Sequence, residues 1–281
     1  MRKHNICYHF YADDTQLYIS FDIDSVADAT SKLESCIEDI RKWMATNFLC
    51  LNDGKTEFLL IGKTSSLKKC PDVSVKLGNA TINPSDTARN IGAIFDNSMT
   101  MSDHISSMCK SSWFQLNRIG KIRKYLTSDS AKTLVHAFVA SRLDSFNSLL
   151  YGVPKYEIKK LQRIQNSAAR LISGCRKYDH ITPILIKLHW LPIEYRIEYK
   201  ILVLTYKAIK KTAPQYIIDL VHERKYSLEI PMTITKCGER SISYASPYLW
   251  NRLPDKCKKA SSLSSFKGLI KTHLFKLAYD V

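Results

Sequence analysis

Tyr11-Ala12-Asp13-Asp14 sets two adjacent carboxylates between segments rich in aromatic and β-branched residues, residues 6–10 and 15–21. Successive strand residues face opposite sides of a sheet, so neighbouring carboxylates converge only where the chain turns. A turn at Ala12, Asp13 and Asp14 lets one or both side chains reach a common metal. The ion suited to such ligands is Mg²⁺, a hard cation that prefers oxygen. Two such ions about 4 Å apart activate a hydroxyl and neutralise a leaving pyrophosphate. That chemistry is nucleotidyl transfer. An Asp pair in a turn is commonly just a solvated turn, because its side chains bond the turn backbone and tolerate its dihedrals.

The elements needed to hold this pair can be read from periodicity. Residues 6–21 predict a hairpin, with Leu17, Ile19 and Phe21 alternating against Gln16, Tyr18 and Ser20. Val26, Thr30, Leu33, Ile37, Ile40 and Met44 recur every three or four residues, the stripe of an amphipathic helix starting near Ser25 and covering a sheet. Residues 56–61 predict a buried strand bounded by Gly62, after a turn at Asn52-Asp53-Gly54. Residues 73–77 and 80–82 predict a small hairpin about Gly78-Asn79, and residues 90–95 a further strand after Pro84. The order describes an α+β layer with helices on one side of a largely antiparallel sheet.

Beyond Asp96-Asn97 the pattern becomes helical. Helices are predicted from Ser102 to about Leu126, from Thr127 or Ser128 past Phe138, from about Lys155 to Ile172 with Gly174 as its cap, and from Pro192 to about Lys211. Short turns are expected at Pro231, Gly238, Pro247 and Pro254, with a final helix from about Ser265. His189, Trp190, Tyr244, Trp250 and His273 are read as core groups rather than stacking or catalytic ones.

Charge separates the same two regions. The 281 residues carry 42 Lys and Arg against 26 Asp and Glu, a net +16. Residues 1–97 hold 11 basic and 13 acidic side chains, so residues 98–281 hold 31 and 13, a net +18. That excess suits a polyanionic partner, or else a merely solvated basic surface. With 45% apolar residues the chain can bury a core and form about two domains. The eight cysteines are scattered without a C-x-x-C pair, so neither a zinc site nor a disulfide framework is expected, and an intracellular location, nuclear or cytoplasmic, fits best. The Lys256 to Lys259 patch suits nuclear import. No signal peptide or membrane span is expected, and the oligomeric state stays open.

FYADDTQLYIS, the helix with Trp43, LNDGKTEFLLIG, ARNIGAIFDNSMTMSDHI and the basic helices after them resemble, in order, the carboxyl-terminal palm and thumb of non-LTR retrotransposon reverse transcriptases. SISYASPYLWNRLPDKCKKASSLSSFKGLIKTHLF is similar to the tail of many jockey and CR1 elements, so the resemblance covers nearly the whole chain. It implies a partial palm over residues 1–97, a basic helical thumb over 98–176, and a mainly helical region of unassigned role over 177–281. It implies Asp13 and Asp14 as catalytic ligands of Mg²⁺, with Asp13 the firmer, and Tyr11 near the template-primer and nucleotide. Lys55 falls on a lysine near the incoming nucleotide; the alternative reading is a turn lysine beside Asp53 and Glu57. Gly92, within residues 91–95, falls on the primer-grip strand, or simply in a buried strand. Lys110, Arg118, Lys121, Arg123 and Lys124 would lie beside the duplex backbone, or only make a helix soluble.

The partners so implied are an RNA template, a DNA primer and, in the intact parent, a dNTP. The family also has, upstream of its acidic pair, a further metal-binding aspartate and the fingers. With ten residues before Tyr11 these are expected to be lacking, and the chain is expected not to polymerise unaided. The alternatives are a non-catalytic nucleic-acid-binding remnant and a helical interaction protein.

Overall fold

The structure, a computed structural model, describes residues 1–70, 73–176, 178–225 and 227–280, in two units, Met1–Thr100 and Met101–Val281. The expected boundary at Lys177 lies outside the described residues. The architecture is α+β.

In the first unit, β1 (Cys7–Tyr11) and β2 (Asp14–Tyr18) form the expected hairpin, and α1 (Val26–Thr46) follows a 3-10 turn at Ile23–Ser25. The inner face of α1 buries Ala29 and Cys36. After α2 (Thr64–Leu67), β3 (Val75–Leu77) pairs with β4 (Ala80–Ile82), with Val75 and Leu77 buried. Glu34 Oε1 of α1 accepts from Lys76 N at 2.7 Å, which fixes β3 beside the helix. The turn of this hairpin needs Gly78: its φ is 60°, and an added Cβ would lie 2.9 Å from the Arg41 guanidinium. In the C-terminal half of α1, Asp39 is bonded by His4 and Lys3, which hold its carboxyl below the usual range.

Two expectations fail here. Residues 56–61 make no strand; Phe58 forms only an isolated bridge to Pro84. Proline has no N–H to extend a ladder, and Arg89 N, which another strand's carbonyl would have met, donates to Glu57 Oε2 at 2.9 Å instead. Residues 90–95 fall in a third hairpin, β5 (Thr87–Asn90) with β6 (Ala93–Asp96), because Ile91 (φ 49°) and Gly92 (φ 94°) turn the chain. The described strands therefore form three two-stranded pieces and not one continuous sheet.

The second unit is helical among its described residues, apart from one isolated bridge. In α3 (Ser102–Ile122), Ile105, Met108, Ser112, Leu116 and Ile119 are buried at helical spacing. This face packs on α6, as the contacts between the two helices show. Between them lie α4 (Ser128–Val135), a π-helical turn at His136–Ala140, and α5 (Ser141–Asp144), with Thr127 Oγ1 capping α4 by accepting from Ser130 N at 3.1 Å. The next helix, α6 (Lys155–Ser173), buries Leu161, Ile164, Ala168, Ala169 and Ile172 and ends at Gly174 in the left-handed region.

The remainder is α7 (Ile181–Lys187), α8 (Ile193–Ile209), α9 (Gln215–Ile218), α10 (Ile242–Asn251), α11 (Asp255–Lys258) and α12 (Leu263–Tyr279). Phe266 of α12 is wholly buried, stacked on Tyr206 of α8 at 4.3 Å and tilted against Trp250 of α10 at 5.6 Å. Of the groups read as core, Trp190 and Trp250 are buried and Tyr244 and His273 half-buried, but His189 is exposed. Pro247 is no turn: it sits buried inside α10, where burial offsets the missing bond to the Ser243 carbonyl. Among the described residues no helix is long and apolar enough to cross a membrane.

Candidate functional site

Hairpin register decides where the carboxylates go. Tyr11 pairs with Asp14, which leaves Ala12 and Asp13 as a two-residue loop. Ala12 adopts φ 53°, the strained left-handed region that a hairpin of matching twist requires. Directly paired residues share a face, so Asp14 lies with Tyr11, and His9 and Gln16 lie next along that face. Asp13 leaves from the turn itself. Both carboxylates are exposed, and neither is in an ion pair among the described residues.

The β5–β6 hairpin meets this one. Gln16 Nε2 donates to Asn90 Oδ1 at 2.5 Å, and Asn90 is the last residue before the Ile91-Gly92 turn. Gly92 is therefore at a hairpin tip and not within a strand, a correction that nonetheless puts its hairpin beside the one that carries Asp14. Lys55 ends a 3-10 turn, Asp53–Lys55, held to α1 by Arg41 Nη1 donating to Asp53 Oδ1 at 2.8 Å. It is exposed and bonds neither carboxylate.

Among the described residues no group of three or more His, Cys, Asp and Glu could hold a metal ion. Two adjacent carboxylates suffice for one Mg²⁺ that keeps several waters, since that ion is often bound by one or two carboxylates plus substrate phosphate. They do not suffice to bridge two ions.

The outer face of α3, with the 3-10 turn Arg123–Tyr125 that follows it, is the other cluster. Lys110, Arg118, Lys121 and Lys124 are exposed. Arg123 differs, since its guanidinium donates from Nε to Leu171 O (2.7 Å), from Nη2 to Ile172 O (2.9 Å) and from Nη1 to Leu126 O (2.9 Å). It satisfies carbonyls left open at the end of α6, so its donors serve the fold rather than a phosphate. Sequence reasoning missed the aromatics interleaved with these cations. Trp113 is 49% exposed, Phe114 59% and Tyr125 77%; Arg118 lies 5.7 Å from the Phe114 ring centre and Lys124 4.8 Å from that of Tyr125. The signal was present, for Trp113 and Phe114 stand three and four residues after Lys110, away from the Ile105-Met108-Leu116-Ile119 stripe.

A third group, unforeseen from sequence, surrounds Glu198 of α8. Burial, helped by Glu194 and opposed by Arg252, pushes its carboxyl up to about 7. Burial and then Glu198 push the Tyr151 hydroxyl up to about 12, while the Arg252 guanidinium lies 3.7 Å from the centre of the Tyr248 ring.

No family model, no curated protein and no solved structure matches the chain. The functional reading rests on its own residues.

Proposed function

We propose that the chain is part of an RNA-directed DNA polymerase of the non-LTR retrotransposon kind, a partial palm with a basic thumb, unable to polymerise unaided. The observation that carries this is the two-residue turn at Ala12-Asp13, which presents adjacent carboxylates at the tip of a hairpin tied to a second hairpin tip by Gln16 and Asn90. Asp13 and Asp14 would hold Mg²⁺, which when bound neutralises phosphate charge and lowers the pKa of a hydroxyl. Lys55 and Tyr11 are the proposed nucleotide and template-primer neighbours. Lys110, Arg118, Lys121 and Lys124 would lie along phosphates of a template-primer; Arg123 takes no part.

Primer extension with Mg²⁺ on the purified chain tests the inactivity. The expected result is no incorporation above an Asp13→Ala control; incorporation that this substitution abolishes would overturn it. Affinity for an RNA–DNA hybrid should fall with salt at a log–log slope of about −3 to −4 for four phosphate contacts. A flat salt response refutes phosphate-driven binding. A second reading, a nucleic-acid binder without catalysis, is favoured by the net +18 of residues 98–281, which needs no carboxylate.

A further inference from the structure

Charge alone does not explain the outer face of α3. A duplex presents phosphates and groove edges outward and hides the flat faces of its bases, so it rewards lysine and arginine but gives an exposed indole or benzene ring nothing to stack on. Trp113, Phe114 and Tyr125 stand in water beside Lys110, Arg118, Lys121 and Lys124. They are not needed by the core, because α3 buries Ile105, Met108, Leu116 and Ile119 on its other side. Residues 110–128 contain no Asp or Glu, so nothing along this stretch repels a polyanion.

We propose that this face binds single-stranded nucleic acid, stacking unpaired bases on Trp113, Phe114 and Tyr125 while the flanking cations hold the backbone. Lys110 and Lys121 lie eleven residues apart, about 16 Å along the helix, so the cations span several phosphates. Arg118 beside Phe114 and Lys124 beside Tyr125 supply cations to the same rings. Such stacking tolerates any base, so the platform reads strandedness and not sequence. The inference deepens the nucleic-acid reading above and rests on it.

The test is fluorescence anisotropy of the full chain with a labelled pyrimidine oligonucleotide, single-stranded or annealed to its complement. Single strand should bind more tightly than duplex. Trp113→Ala and Phe114→Ala should each weaken single-strand binding roughly 5- to 100-fold, leave duplex binding and the salt slope unchanged, and be rescued at position 113 by Trp113→Phe. Lys110→Ala and Lys121→Ala should instead reduce the salt slope by about one each for both forms. Aromatic variants that leave single-strand affinity unchanged, or lower both forms alike, overturn the stacking proposal while the phosphate reading stands. Failure of both forms to bind at low salt overturns both.

Discussion

Phe48 in Met1–Thr100 is 99% exposed and Trp43 62%, whereas Phe266 in Met101–Val281 is wholly buried between Tyr206 and Trp250. The first unit joins one long helix to two-stranded hairpins, each too small to bury both faces; its core is small, with Ala29, Cys36, Val75 and Leu77 buried, and polar links supplement it: Gln16 to Asn90, Glu34 to Lys76, Arg41 to Asp53. The second is built from helices whose apolar stripes meet. Such a unit can leave a whole helical face to charge and aromatic rings without losing its core, and the hairpin unit has no such reserve.

The sharpest way to break this contrast is to truncate an aromatic in each unit. Phe266→Ala should lower unfolding free energy by about 3 to 5 kcal/mol, and Trp43→Ala by less than about 1 kcal/mol, in urea titrations followed by circular dichroism. Comparable losses would show that Trp43 is as closely packed in solution as Phe266. Next comes the division of labour among the cations of the helical unit. Arg123→Ala should cost about 2 to 3 kcal/mol by stripping donors from three carbonyls, while Lys121→Ala stays within about 0.5 kcal/mol.

The smallest effect is electrostatic. Glu198 holds its proton up to about pH 7 in the folded chain but only to its ordinary 4.5 when unfolded, so the folded state binds more protons in that window. Stability should therefore be full below about 4.5 and fall as pH rises through about 7, by roughly 1 to 2 kcal/mol once its remaining exposure is discounted. Glu198→Gln should flatten the slope; an unchanged thermal-melt profile would place the proton elsewhere.

Most helices were legible because their signals are local. Thr127 caps α4 and Gly174 ends α6, and the apolar stripes of α3 and α6 repeat at three and four; α1 formed where its stripe predicted, but its buried residues are Ala29 and Cys36, beside that stripe. The carboxylate turn was legible for the same reason, since Asp13 and Asp14 interrupt the strand composition on both sides. Residues 90–95 misled because β-rich composition hides a reversal that needs two positive φ angles, of which only Gly92 gives notice. Arg123 misled because the carbonyls it meets lie about fifty positions downstream, and a helical wheel records no such meeting. Trp113 and Phe114 were within reach of the wheel, but weighing the helix by charge passed over them.

The hydrogen bond from Gln16 to Asn90 joins partners 74 positions apart. Closing so long a span is slow and entropically costly beside forming the hairpins, whose contacts are local. The acidic tip therefore acquires its anchor late. On a nascent chain halted before residue 87 the β1–β2 hairpin can form but lacks Asn90, so the tether of Gln16 is among the last links of its unit to close.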